Sequence, residues 1–350
     1  MATVVQKFVN TDVSNGDGTS GAPWSSLDNA MTGLASLYAS GLVAADVQVD
    51  LFCAGAAQDT APTTSTGVNV SIATDATRYL RILAGVGQSA QMPFNTGRYR
   101  LVQTNGFRPC LTVATTKLIL QGLQFRNTGL RANSPNCLSI PSTAGRETYV
   151  YGCYGDFTGV DTPGVDCAGV YLKSTGTNHK IVVRNSVMTG ARVGFRRAAT
   201  AAGSVTILDN NTAVANSLDG FLVDCSAGTT LMRNNVATGN TTADYSFNGA
   251  VGLTTAGNRS GDATSPDVAG QSKTFTFVSS GTGDYHLDTS DLGAIGAGTD
   301  LTADSSNPFS DDFDGEARVA PWDAGADQAS TGGGGGGTFA RYYFTRRRRR

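Results

Sequence analysis

The chain has 350 residues, 40% of them apolar and 15% charged, with a formal net charge of −2, so it can bury a sizeable core in one large domain or two ordinary ones. Its 44 glycines, and acidic residues that are all Asp except Glu147 and Glu316, exclude a helical bundle, because Asp favours turns and caps where Glu favours helices. The low charge content also excludes a solvated, highly charged disordered chain.

The opening "MATVVQKFVNTD" carries no apolar run of the leader type, and no later stretch approaches a membrane span. Residues 1–45 read as an opening strand and a cap. The stretch "APWSSLDNAMTGLASLYASG" has Ser and Asp start signals followed by apolar residues at helical spacing, which predicts a short amphipathic helix plugging one end of the fold. Cys53, Cys110, Cys137, Cys153, Cys167 and Cys225 are scattered without a C-x-x-C pair. They are read as small buried hydrophobes in a reducing compartment, with neither a disulfide framework nor a zinc site.

Residues 46–260 repeat one plan. "KLILQGLQFRNTG" (117–129), "KIVVRNSVMTG" (180–190), "SVTILDNNTAVAN" (204–216) and "TLMRNNVATGN" (230–240) each place a short aliphatic strand, then Asn or Gly, then a second apolar stretch. "GVYLKS", "VGFRRA", "DGFLVDC" and "DYSFNG" supply another segment per repeat. Asn185, Asn210, Asn234 and Asn258 are 25, 24 and 24 residues apart, and Phe195, Phe221 and Phe247 are 26 apart. A period in the twenties with several strands and no helical stripe predicts a solenoid. The leucine-rich-repeat consensus is absent. The expected fold is therefore all-β, a right-handed parallel β-helix of about nine coils of ~24 residues, rising ~4.8 Å per coil to roughly 45 Å. The four Asn are expected to form an internal amide ladder, each hydrogen-bonding its counterparts above and below.

Two further stretches stand out. Asp156, Asp161 and Asp166 in "GDFTGVDTPGVDC", beside the strand bearing Arg184, are weak candidates for paired-carboxylate catalysis or calcium binding if they converge. The plainer reading is a solvated loop. Arg192, Arg196 and Arg197 in "GARVGFRRAATAAG" are expected on the solvent face of one coil.

Residues 261–330 read as a closing segment for the far end. Residues 331–350, "TGGGGGGTFARYYFTRRRRR", form a glycine tether with an aromatic and basic tip: Phe339, Arg341, Tyr342, Tyr343, Phe344, Arg346, Arg347, Arg348, Arg349 and Arg350. Setting aside those six Arg leaves 20 Lys+Arg against 28 Asp+Glu, so an acidic body of net −8 carries a basic tip. The tip is read as a peptide anchor for a protein assembly, ahead of nucleic-acid binding through phosphates and stacking.

From residue 8 to 328 the chain resembles right-handed parallel β-helix proteins of the pectate-lyase-like superfamily. The resemblance is carried by "KFVNTDVSNGDGTSGAPWSSLDNAM" at the start, and by "GDYHLDTSDLGAIGAGTDL" with "DDFDGEARVAPWDAGADQ" at the end. The latter matches that group's closing turn, Asp312-Phe313-Asp314-Gly315-Glu316-Ala317-Arg318, and final strand, Asp323-Ala324-Gly325-Ala326. The tripeptide Asn10-Thr11-Asp12 also occurs in the group's pectin hydrolases. Here it lies outside the coils, without the paired Asp, Gly-His-Gly and Arg-Ile-Lys that complete the hydrolase signature, and reads as a turn. The Arg-x-Pro-x-x-Arg pattern of the lyases is missing too.

The resemblance and the tail together imply a virion structural protein of a tailed phage, a head decoration or a tail or fibre component, assembled in the host cytoplasm. Its expected partners are other capsid or tail proteins through residues 331–350, cell-surface polysaccharide, and two further copies of itself in a homotrimer. No cofactor, metal or membrane is expected. The alternatives are a polysaccharide lyase or glycoside hydrolase, and a non-catalytic glycan-binding module.

Overall fold

The computed structural model describes residues 2–63, 67–105, 108–129, 136–142, 144–157, 168–174 and 176–329. Asp161, Asp166, Cys167 and the tail from residue 331 lie outside these. Among the described residues, three parallel sheets of nine, eight and seven strands, here A, B and C, wind around one core. Each strand pairs in parallel with its equivalent one coil earlier and one later, as Glu147–Tyr151 does with Lys117–Gln121 and Lys180–Arg184. This is a right-handed parallel β-helix, the hand that parallel crossovers take. The five described cysteines are all buried.

The coils are less uniform than the central repeat suggests. Register partners are 31 residues apart at Asp50 and Arg81, 30 at Arg126 and Asp156, and 33 at Cys153 and Ser186. They tighten to 25, 24 and 23 across Ser186, Asn211, Asn235 and Asn258. Only the later coils have the short period, because earlier corners carry longer loops.

The opening strand, Thr3–Asn10, is itself the first strand of sheet A, paired along its length with Val47–Ala54. Helix α1 (Leu27–Leu37) buries Leu27, Ala30 and Leu34, and Ser26 caps it by accepting from the Asn29 amide at 3.1 Å. The Asp12 carboxylate accepts from the Ala56 and Ala57 amides at 2.8 and 2.7 Å, which holds its pKa below the usual carboxylate range. Asn10-Thr11-Asp12 is a turn.

The amide ladder is real but sits one residue along from its expected place. Asn185, Asn210 and Asn234 occupy a corner with φ of 49°, 51° and 55°, equivalent to Gly122, Gly152 and Gly257 in neighbouring coils. Only Gly and Asn enter that left-handed region readily, which explains the recurrence. The next residue points inward. Asn211 Oδ1 accepts from the Ser186 amide at 3.1 Å, and Asn235 Oδ1 accepts from the Asn211 amide and Nδ2 at 3.0 and 3.1 Å. Asn258 Oδ1 does the same for Asn235 at 3.1 and 2.9 Å. Thus Asn211, Asn235 and Asn258 are the rungs of the inward ladder, while in the outer column Asn234 Nδ2 still donates to Asn210 Oδ1 at 3.1 Å. Such a ladder has a direction, and its last amide needs an acceptor with no hydrogen to offer. Asp267 supplies it, accepting from Asn258 N and Nδ2 at 2.7 and 2.8 Å. A second ladder, Asn216 to Asn240, ends likewise on Asp244.

The aromatic stack shows a similar shift. Phe195 and Phe221 lie 4.9 Å apart, and the third ring is Tyr245 at 5.0 Å, with Phe247 beside it at 6.4 Å. Arg196 faces outward over Tyr171, whereas Arg197 points into the cylinder and is fully buried, against expectation. The strand's alternation forces this, since Phe195 and Arg197 share a face.

The closing segment runs back along the flank of the coils instead of covering only their end. Tyr285, Phe313 and Ala326 bury the outward Tyr154, Val187 and Val214 of sheet B, and Leu287, Ala294 and Ala324 bury Val236. The outer Asn column docks it: Asn185 Nδ2 donates to Asp311 O at 2.9 Å, Asn210 Nδ2 to Asp323 O at 3.1 Å, and Asn234 Nδ2 to Thr299 O at 2.8 Å.

Candidate functional site

Asp156 ends the sheet B strand Tyr154–Asp156 and lies in register with Arg126 one coil earlier. Arg126 Nε donates to Asp156 Oδ2 at 3.0 Å, its Nη2 reaches the same oxygen, and the guanidinium lies 3.9 Å from the Phe94 ring centroid. Arg184 ends a strand of sheet A. Its guanidinium is held between Tyr151 at 4.1 Å and Phe309 at 4.7 Å, with Nη2 3.5 Å from Asp311 Oδ1. The structure therefore gives Asp156 and Arg184 different sheets and separate partners. A carboxylate held by a guanidinium and a stacked, ion-paired arginine are suited to holding structure.

A second group occupies the outward face of sheet A. In Glu147–Tyr151, Thr148 and Val150 point into the core, so Glu147, Tyr149 and Tyr151 point out and are partly buried. Register sets Lys117, Glu147 and Lys180 in one row across three coils. Lys117 Nζ stands 4.6 Å over the Tyr79 ring and 6.0 Å from Tyr149, and Lys180 Nζ stands 6.0 Å from Tyr149 on the other side. Tyr149 and Tyr151 are 5.9 Å apart, tilted by 55°. The Tyr149 hydroxyl donates to Glu147 at 3.1 Å; burial first, then the Glu147 charge, pushes its pKa up. Lys117 also donates to Ala76 O at 2.9 Å and Lys180 to Ser306 O at 3.0 Å, which fixes both ammoniums beside the rings.

A third cluster lies in the closing segment. His286 Nδ1 is 2.5 Å from Asp284 and Nε2 is 2.9 Å from Asp314. Burial alone would lower the pKa of this imidazole, but the Asp314 contact and the charges of Asp314 and Asp327 outweigh it and raise the value to about 10. Ligand atoms of His286, Asp314 and Asp327 lie within 4.8 Å of one another. With both ring nitrogens against carboxylates, the arrangement is that of an imidazolium clamp. A divalent ion there would first have to displace a proton.

The tyrosine row was missed from sequence, although "ETYVY" carries the signal: Tyr at i and i+2 on a strand must share a face. The neighbouring "KLILQ" and "KIVVR" begin with the flanking lysines. Arg126 and Phe94 had no such signal, since a loop brings Phe94 into place.

No protein-family model matches the chain. No curated protein matches it by sequence. Among solved structures, that of pectate lyase Pel9A aligns at 13% identity over 94% of this chain and 97% of that chain, with a TM-score of 0.38. A likeness at that level says nothing about activity, and the β-helix assignment rests on the strand pairing described above.

Proposed function

We propose that the protein is a non-enzymatic structural rod of a tailed-phage virion that contacts cell-surface polysaccharide through the outward face of sheet A. The observation that carries the glycan contact is the row of Tyr79, Tyr149 and Tyr151 flanked by Lys117 and Lys180. Sugar rings present C–H groups that pack on aromatic faces, and adjacent ammoniums favour a polymer bearing carboxylates. The pairing of Asp156 with Arg126 and of Arg184 with Asp311 supports a non-catalytic reading. The virion assignment is supported by the sequence of residues 331–350, in which a six-glycine run leads to a basic aromatic tip on an acidic body.

Isothermal titration against a panel of acidic and neutral polysaccharides tests the contact. Binding should favour acidic polymers, weaken with salt, and fall at least tenfold in Tyr149→Ala with Tyr151→Ala. Undiminished binding in that double variant would reject the site. Appearance of unsaturated or new reducing ends during incubation would replace the proposal with an enzymatic one. Truncation after residue 330 should leave a folded rod that no longer joins particles, and normal incorporation would reject the anchor.

A further inference from the structure

The cylinder interior holds a charge that nothing described neutralises. Arg197 is 0% exposed and stands at an inward station that the flanking coils fill with Leu172, Val223 and Phe247. An arginine keeps its proton in proteins, and an uncompensated buried cation is strongly disfavoured. Its guanidinium extends to the corner where sheet C turns into sheet A. There Nη1 lies 3.3 Å from Cys225 Sγ, and Nη2 donates to Thr229 O at 3.1 Å, while Nε has no partner. Among the described residues no carboxylate pairs with it.

The same corner holds further unspent hydrogen-bonding groups. Register sets Arg146, His179, Ser204 and Gly228 in one corner column, each preceding a sheet A strand. His179 is 2% exposed, and neither ring nitrogen has a partner among the described residues. Arg146, half-buried, spends Nη1 on Pro141 O at 3.3 Å and Val113 O at 3.5 Å. Thr148, two residues on, has a buried hydroxyl without a partner. A β-carbon at Gly228 would lie 3.1 Å from Arg197 Nη2 and would collide with Ser204 Oγ, so a glycine leaves room for the guanidinium. Burial, then Arg146 and Arg197, lowers the His179 pKa to about 4, so the imidazole is neutral at pH 7 and offers one N–H.

We propose that this corner is an interior site for a small monovalent inorganic anion of the halide class, held by Arg197 and His179. A buried guanidinium and a neutral imidazole N–H, both with unused donors, make an environment in which a compact anion supplies the missing counter-charge. The site is independent of the glycan contact on the opposite side of the sheet A wall, and loss of either leaves the other testable.

The test uses the full-length protein and sodium bromide, with sodium gluconate as the bulky control at equal ionic strength. Bromide should raise the Tm with a dependence that becomes logarithmic in concentration above half-saturation. It should also give an anomalous scattering peak between Arg197 and His179 in crystals. Arg197→Met should lose at least tenfold in bromide sensitivity. Should that variant fail to fold, NMR of the wild-type His179 ring decides, because bromide should move its titration upward by about one pH unit or more. Equal Tm in bromide and gluconate, a corner holding water alone, or a His179 titration indifferent to bromide would each overturn the site.

Discussion

Arg318 Nη2 donates to the side-chain oxygen of Asn185, 133 residues earlier, at 3.1 Å. The same guanidinium donates to the carbonyls of Asp311 at 2.9 Å, Gly325 at 3.0 Å and Ala326 at 2.8 Å. One buried side chain thus ties the closing turn, the final strand and a coil corner together. Replacing it with Met strands those carbonyls and removes the cation that faces Asp312 and Asp327. Arg318→Met should cost about 3–5 kcal/mol. Arg318→Lys, which keeps the charge but lacks the planar fork, should fall between that variant and wild type. Urea denaturation followed by near-UV circular dichroism measures both, and a wild-type midpoint for Arg318→Met would refute the tie.

The one-residue offset of the ladder predicts unequal neighbours. Asn235→Ala removes the acceptor for Asn211 N and Nδ2, takes one of its two donors from Asn258 Oδ1, and strands the Leu208 carbonyl, all of them buried. It should cost about 3 kcal/mol. Asn234→Gly keeps the left-handed backbone and loses only the side-chain bonds to Asn210 and Thr299, for about 1 kcal/mol. Equilibrium unfolding of the two variants side by side should rank them in that order, and the reverse ranking would place the ladder at Asn234.

The imidazolium clamp makes stability depend on alkaline pH. The His286 pKa is raised to about 10 in the folded chain, against an ordinary value of about 6.5. The folded state therefore binds the proton more tightly, and the stabilisation is complete below about pH 6.5 and lost as pH climbs toward 10. Thermal melts at pH 7, 8, 9 and 10 should fall progressively for wild type and less for His286→Gln. Parallel slopes would argue against the clamp.

Nearby carboxyls act in a lower window with the same sign. Burial is the main cause that raises Asp327 to about 6 and Asp312 to about 7. Each holds its proton better when folded, so its contribution favours folding at low pH and declines as pH rises from the usual carboxylate value to about 6 or 7. Asp327→Asn should remove part of that decline, seen as a flatter Tm profile between pH 4 and 6. An unchanged profile would mean that Asp327 titrates normally.

Asp59, buried at the cap, accepts from the Leu27 amide and the Tyr99 hydroxyl through Oδ2, both at 2.7 Å, and burial lifts its pKa to about 6. Its charge is costly at pH 7 while its oxygen is needed. Asp59→Asn should therefore be close to neutral or stabilising at pH 7, and Asp59→Ala should lose about 1–3 kcal/mol by orphaning both donors. Calorimetry at pH 7 separates the two, and equal losses would show that the charge itself is required.

The coil was legible because it is a local code. Strands such as "KIVVR" and "VTILD" alternate, and a recurrent Asn or Gly follows each. The position of the ladder was not, because Asn-Asn pairs such as Asn210-Asn211 and Asn234-Asn235 look alike until backbone geometry sends one outward and the next inward. Arg197 was misplaced for a related reason: composition assigns arginine to solvent, while the pleat that buries Phe195 also turns Arg197 inward. The Tyr149 and Tyr151 face was readable in principle, since two tyrosines two apart on a strand share a side.

By itself, then, the amino-acid order determined a stack of parallel coils, the αL corners that only Gly and Asn fill readily, and a capped start. Tertiary structure alone decided that residues 283–329 fold back onto sheet B, and that Arg318 meets Asn185, Tyr285 meets Thr189 and Arg233 meets Asp304. The physical reason is range. Periodic burial is set by neighbours a few residues or one coil away, whereas a returning segment finds its place only on the finished outer surface of the rod.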